Sequence, residues 1–234
     1  MGNSVTKSLN LSMDWLQGTL TVFKKDLKTE FRTRFAFNMV IAFVISSLLL
    51  IMFTLKAQEL NPTPKSGLVW IIVLFAALSS LGRSFISETD KNTYNLLRIY
   101  ASGSSVFSGK LLFNTVFSLL INICTFGIYI FLVDITIVSW ISFFTILIFG
   151  TIGLSSVSTM IAAIVSQADR KGAIFSVLTI PLFIPFILLL TSITKSAFID
   201  VSLEGFTNDF SALIGFIGVT ITAGVLLFEY IWEE

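Results

Sequence analysis

Residues 35–55 read FAFNMVIAFVISSLLLIMFTL, a run without a single Lys, Arg, Asp or Glu. A bilayer core of about 30 Å is crossed by about 20 helical residues at 1.5 Å each. This stretch therefore has the length and composition of a transmembrane helix. Five more runs of similar character lie outward from it, at 67–86, 111–133, 141–165, 173–194 and 211–232. In hydrocarbon only helices and closed barrels satisfy every backbone group, and continuous apolar runs favour helices over the alternation of barrel strands. The expected fold is an all-α integral membrane protein with six spans.

The rest of the 234 residues agrees. Charged residues make up 12% of the chain and apolar ones 55%, with 24 Phe and a mean hydropathy of +0.91. Soluble domains carry about 25% charged residues, and a polar shell cannot be built from half of that. Histidine is absent and cysteine occurs once, at Cys124. This excludes an intramolecular disulfide, a histidine base or metal ligand, and a Ser-His-Asp or Cys-His catalytic set from this chain alone. No carboxylate falls near the middle of a predicted span, which disfavours proton or sodium antiport. Glu229, close to the end of the last span, reads as an interfacial carboxylate.

Lysine and arginine mark the sides. With the N-terminus inside, the inner segments hold Lys7, Lys24, Lys25, Lys28, Arg32, Arg34, Arg83, Lys91, Arg98, Lys110, Arg170 and Lys171, and the outer ones only Lys56, Lys65 and Lys195. Cytoplasmic loops carry such an excess, so both termini are expected in the cytoplasm. Residues 1–34 lack the apolar core of a signal peptide, and the first span is expected to serve as the uncleaved targeting signal.

Two inner segments carry more pattern than a connector needs. In residues 13–34, Leu16, Leu20, Phe23, Leu27 and Phe31 recur every three or four positions, while Lys24, Lys28 and Arg32 line another face. This predicts an amphipathic elbow helix in the inner membrane interface, anchored by Trp15. The loop 87–110 contains Glu88, Asp90, Lys91, Tyr94, Asn95, Leu97 and Arg98, the makings of a short helix with a mixed face, before the flexible run Ser102-Gly103-Ser104-Ser105. That helix is expected to be a docking surface, and Asp169, Arg170 and Lys171 of the second inner loop are a further candidate group. Residues 103–110, GSSVFSGK, imitate a phosphate-binding loop, but five residues separate the glycines, Leu111 follows the lysine and no strand precedes. ATP binding by this chain is not expected.

Lys110 and Arg83 lie near inner span ends, where a long side chain reaches water at little cost. In the fourth span Gly150, Gly153, Ser155, Ser156, Thr159, Ala162 and Ala163 allow close helix approach, and Asn114 and Asn122 in the third can bond across helices. Pro181 and Pro185 are expected to kink the fifth. Residues 195–210, amphipathic and mixed, are expected to form a re-entrant or interfacial cap on the outer side.

The ordered series KKDLKTEFRTR (24–34), LFAALSSLGRSFISETDK (74–91), GKLLFN (109–114), GTIGLSSVSTMIAAI (150–164), IPLFIPFILLL (180–190) and LLFEYIWEE (226–234) resembles cytochrome c maturation protein B, the haem exporter protein B (CcmB) family of ABC-2-type permeases. Tyr94-Asn95 stands where that family often has Leu-Glu, and its usual proline is missing around residues 101–105. The resemblance implies a cytoplasmic elbow region, 1–34, ahead of a six-span domain, 35–234, in a bacterial inner membrane. It implies a complex with a separate CcmA-like ABC ATPase that binds the ATP, with CcmC-, CcmD- and CcmE-like haem-handling proteins and with a second copy of the chain. Haem is then a possible substrate rather than a cofactor of this chain, and no nucleic acid is involved. Two other readings share the six spans: a generic ABC-2 exporter of lipid, glycan or drug, and a scaffold subunit that transports nothing.

Overall fold

In the computed structural model the backbone is described for residues 2–81, 85, 88, 93, 97–99, 101–166, 171–199 and 203–233, and the side chains from residue 15 onward except at 171–173, 203, 204 and 233. Among these residues there are seven α-helices and no strand: α1 (Gly2–Thr33), α2 (Phe35–Leu55), α3 (Pro62–Ser80), α4 (Gly103–Val133), α5 (Trp140–Val165), α6 (Lys171–Phe198) and α7 (Leu203–Glu233). The last six each contain a stretch long and apolar enough to cross a bilayer. The protein is a multi-pass membrane protein.

Local chemistry sets the boundaries. Arg34 has φ 50°, a left-handed conformation that breaks the α-helix between α1 and α2. Glu30 then accepts the Phe37 N–H at 3.0 Å, satisfying one of the unpaired donors at the start of α2. Lys56 and Asp134, also left-handed, close α2 and α4. Pro62 begins α3, where its missing N–H costs nothing. Ser102 and Ser139 cap α4 and α5 through their side-chain oxygens.

The central helix is α5, which packs against α4, α6 and α7; α3 packs on α6, α2 on α3 and α4, and α1 on α4. Lipid tails are as apolar as leucine, so close packing and interhelical hydrogen bonds hold such a bundle together. The small residues of α5 supply the first. A Cβ on Gly153 would lie 2.2 Å from Phe186 Cζ, so only glycine lets α6 approach there. The second comes from Asn114 and Asn122, whose amides donate to Thr159 and Thr151 of α5 at 2.8 and 2.9 Å, and from Ser156 paired with Thr220 of α7 at 2.8 Å. Outward positions such as Phe53, Phe131, Ile141 and Val219 stay exposed, as lipid contact requires.

Several expectations shift. The second apolar run begins at 67, but α3 starts five residues earlier, at Pro62. The third helix begins eight residues earlier than the apolar run, because Ser102 caps it; the Ser-Gly run is its first turn rather than a flexible break. Instead of an outer cap over 195–210, α6 continues to Phe198 and α7 starts at Leu203, since the amphipathic residues prolong the spanning helices. α6 runs as one helix through Pro181 and Pro185.

Candidate functional site

Helix α1 presents three faces. Thr19 and Val22 are buried against the bundle, with Gly18, Phe23, Asp26 and Glu30 partly so. Leu16, Leu20 and Phe31 of the apolar stripe remain 46–59% exposed, turned away from the protein. Lys24, Lys28 and Arg32 occupy the third, exposed face. The amphipathic pattern in the sequence thus marks what α1 offers to its surroundings, and the bundle takes the less conspicuous Gly-Thr-Val face. Contact with α4 is close: a Cβ on Gly109 would stand 2.7 Å from the Thr19 carbonyl oxygen and 2.8 Å from Val22 Cβ. Ser105 of α4 adds a hydroxyl donated to the Trp15 carbonyl at 3.3 Å.

Among the described residues, four charged groups meet at this contact. Lys110 of α4 is 1% exposed and lies 3.1 Å from Asp26 Oδ2 and 3.2 Å from Glu88 Oε1. Lys25 pairs with Asp26 at 3.2 Å and also donates to Glu88. Thr93 donates its hydroxyl to the other Glu88 oxygen, and its N–H reaches the Glu88 carbonyl at 3.0 Å. Two cations and two carboxylates from α1, the α3–α4 connection and α4 form a neutral quartet. Burial alone would raise the Glu88 pKa, but the attraction of Lys110 and the hydrogen bonds from Lys25 and Thr93 outweigh it and hold the carboxyl at about 2. Burial likewise works against the Lys25 ammonium, yet Asp26 and then Glu88 raise its pKa above the ordinary lysine value.

An aromatic patch continues the site toward α7. The Lys110 ammonium sits 5.2 Å from the Phe85 ring centre. Phe85 packs on Phe228 at 4.9 Å, Phe107 on Phe228 at 5.9 Å, and Phe228 on Trp232 at 5.1 Å. The Trp232 indole N–H donates to the Ala101 carbonyl at 3.3 Å. The α3–α4 connection is therefore fastened to α1 and α4 by charge and to α7 by ring contacts.

Of the residues expected to dock a partner, Glu88 lies at the centre of this site, and it is buried rather than displayed. Leu97 is partly buried against the core, and Arg98 is exposed beside Ile99 at 75% exposure. Asp90, Lys91, Tyr94, Asn95, Asp169 and Arg170 lie outside the described residues; Lys171 begins α6, its side chain undescribed. On α1, Trp15, Lys24, Lys28, Phe31 and Arg32 are exposed and Phe23 is partly buried. Lys110 is not a snorkelling lysine: its ammonium turns inward because two carboxylates wait there. Lys25, Asp26 and Thr93 were not singled out by sequence. The signal for Asp26 was its register with Thr19 and Val22 on α1, three and four residues apart. Residues 103–110 form the opening turns of α4, and Lys110 is engaged by Asp26 and Glu88.

Residues 17–228 match the CcmB protein family, nearly the whole chain. No curated protein matches it.

Proposed function

The chain belongs to the CcmB family, and from that premise we propose that it is the permease subunit through which a separate ATPase drives haem export, or the release of a haem-loaded chaperone, in c-type cytochrome biogenesis. The family is that of permease subunits in ABC transporters of haem and cytochrome c biogenesis. The observation that carries the mechanism is the quartet of Lys25, Asp26, Glu88 and Lys110. Two elements accessible from the α1 end of the bundle, α1 and the α3–α4 connection, share one buried lysine with a spanning helix.

On this reading the ATPase is a CcmA-like subunit that docks on the surface around Leu97 and Arg98, with Asp90, Lys91, Tyr94 and Asn95 in the same connection and Asp169, Arg170 and Lys171 alongside. α1 lies as an elbow in the membrane interface, its Leu16, Leu20 and Phe31 face in lipid and its Lys24, Lys28 and Arg32 face toward phosphate. Closure of the ATPase on ATP moves the connection. Glu88 passes the displacement to Lys110 and so to α4, and Phe85 passes it through Phe228 to α7. Coupling of this kind needs a bundle with two discrete packings. Both termini are cytoplasmic and the membrane is a bacterial inner membrane. With no histidine, the chain offers haem iron none of its commonest axial ligands. Haem is accordingly handled by CcmC-, CcmD- and CcmE-like partners, and this subunit supplies movement to the assembly, which includes a second copy of the chain.

The test is purification of the assembly from native membranes. An ATPase subunit should copurify, ATP turnover should require it, and Glu88→Gln should leave the assembly intact while lowering c-type cytochrome yield at least tenfold. ATP turnover by the rigorously purified chain alone, or unchanged cytochrome yield in Glu88→Gln, would overturn the reading.

A further inference from the structure

A groove of about 400 Å³ lies between the α1–α2 junction and α4, apart from the charged quartet. Its walls are apolar: Phe31 and Phe37 on one side, and Val116, Leu120 and Cys124 along α4 on the other. Its lining on α4 runs from Phe113 to Cys124, eleven residue steps or about 16 Å at helical rise. That is about half the thickness of a bilayer core. The groove is therefore one leaflet deep.

Its mouth is polar and incomplete. Arg34 and Asn38 line it, and among the described residues neither the guanidinium nor the side-chain amide has a partner. Glu30 also lines the mouth and its carbonyl accepts the Arg34 N–H at 2.7 Å, but its carboxylate is turned to the Phe37 N–H and makes no ion pair with the Arg34 guanidinium. What remains is a set of exposed donors without a protein partner, one of them a guanidinium, above an apolar slot. A guanidinium fork matches phosphate oxygens in pairs. Lys28 and Arg32 on the neighbouring face add positive potential toward an anionic group.

We propose that this groove is a specific site for one phospholipid molecule, with its phosphate on Arg34 and Asn38 and one acyl chain along Val116, Leu120 and Cys124. A spanning helix of a partner would fit less well. It would need an apolar track over the whole bilayer, whereas this one stops at Cys124, and it would bring no anion to Arg34. The lipid ties the α1–α2 junction to α4. The proposal does not depend on the transport reading.

Native mass spectrometry of the detergent-solubilised protein, delipidated and titrated with a dioleoyl phospholipid or with dioleoylglycerol, tests the site. One phospholipid should bind per chain, the phosphate-free diacylglycerol at least tenfold more weakly, and Arg34→Gln should erase that difference. Val116→Trp, which fills the slot, should abolish retention while the helical circular dichroism stays unchanged. Equal binding of the two lipids, or an Arg34→Gln protein indistinguishable from the parent, would overturn the proposal. Cys124 provides a native probe, since it is the single thiol and is exposed in the groove. A benzophenone maleimide attached there in native membranes should crosslink to lipid; crosslinking chiefly to a protein would show a partner helix in the groove and equally sink the idea.

Discussion

The two ends of the bundle are fastened differently. At the end that carries α1, neutral bonds surround a contact between full charges that is largely withdrawn from solvent: Lys110 is 1% exposed, and the Asp26 and Glu88 side chains 11% and 10%. At the opposite end charges stay outside, as with Lys56 and Glu59 at 75% and 73% exposure and 3.9 Å apart. There the buried contacts are neutral. The Trp70 indole donates to Thr194 at 2.7 Å, the Tyr129 hydroxyl to the Lys65 carbonyl at 2.8 Å, and Val138 N–H to the Ala197 carbonyl at 2.9 Å. Neutral bonds hold one geometry whatever the pH. A buried ionic quartet is stable only while all its members are present and charged, since breaking one pair strands its partner in a poor solvent for charge. The α1 end is thus the part of the molecule on which a push, a proton or a missing cation has most effect.

The hardest test of that contrast is Lys110→Met. It keeps the side-chain volume but leaves Asp26 and Glu88 facing each other with only the half-exposed Lys25 between them. A loss of about 3–5 kcal/mol is expected, concentrated at the α1 contact. Hydrogen exchange should show α1 losing protection while α5 keeps it. A second change, Glu88→Gln, should restore part of the loss, because the carboxylate that remains, Asp26, still has Lys25. If Lys110→Met leaves α1 exchange unaltered, the quartet does not hold this end.

Acid should reproduce part of the effect without mutation. The Glu88 pKa is about 2 in the folded protein against an ordinary value of 4.5. A depressed carboxyl pKa contributes stability that is fully present above the unfolded value and is lost as pH falls through the folded one. The loss should therefore run from about pH 4.5 down to about pH 2 and amount to roughly 3 kcal/mol. Lys25 has the opposite sign: its raised pKa contributes fully below the ordinary lysine value of 10.5 and is lost as pH rises above it. Protease accessibility of α1, followed in detergent from pH 6 to pH 2.5, should increase in the parent. In Glu88→Gln the increase should be much smaller. Equal acid responses in the two proteins would place the sensitivity elsewhere.

At the opposite end the matching change is Thr194→Val. It preserves shape and removes the acceptor of the Trp70 indole, leaving a buried N–H without a partner. About 1–2 kcal/mol is expected, measured by thermal unfolding in detergent. The same loss should be found at pH 4 and pH 7. A pH-dependent difference would erase the distinction between the ends.

How much of this was legible in the sequence follows from the range of each interaction. The six spans were readable because hydropathy is a local sum, and their ends moved where a cap or a proline decided, at Ser102 and Pro62. Interhelical bonding by Asn114 and Asn122 was readable because an amide in hydrocarbon has few alternatives. The quartet was not readable as a unit: Asp26, Glu88 and Lys110 are 62 and 22 residues apart in the chain. By position alone Lys110 looks like any lysine near a span end. Glu88 was singled out within the 87–110 segment as a residue for display, whereas its carboxylate is turned into the ionic contact. The apolar face of α1 was legible and its protein-facing side was not, since glycine, threonine and valine carry little periodic signal.

The smallest expected effects lie midway along α5 and sharpen the comparison by acting as its control. Ser156 bonds Thr220 of α7 at 2.8 Å, whereas Ser158, two residues on and fully buried, has no hydrogen-bond partner among the described residues. Ser156→Ala should cost about 0.6 kcal/mol, the average measured for such bonds between membrane helices. Ser158→Ala removes a buried hydroxyl that pairs with nothing and relieves its desolvation cost. The protein should be as stable as the parent or slightly more so, by up to about 1 kcal/mol. Neither change touches a charge, so neither should alter the acid response of α1. A Ser158→Ala protein clearly less stable than Ser156→Ala would mean that the hydroxyl at 158 has a partner in the working assembly, and that the middle of the bundle belongs with the α1 end rather than between the two.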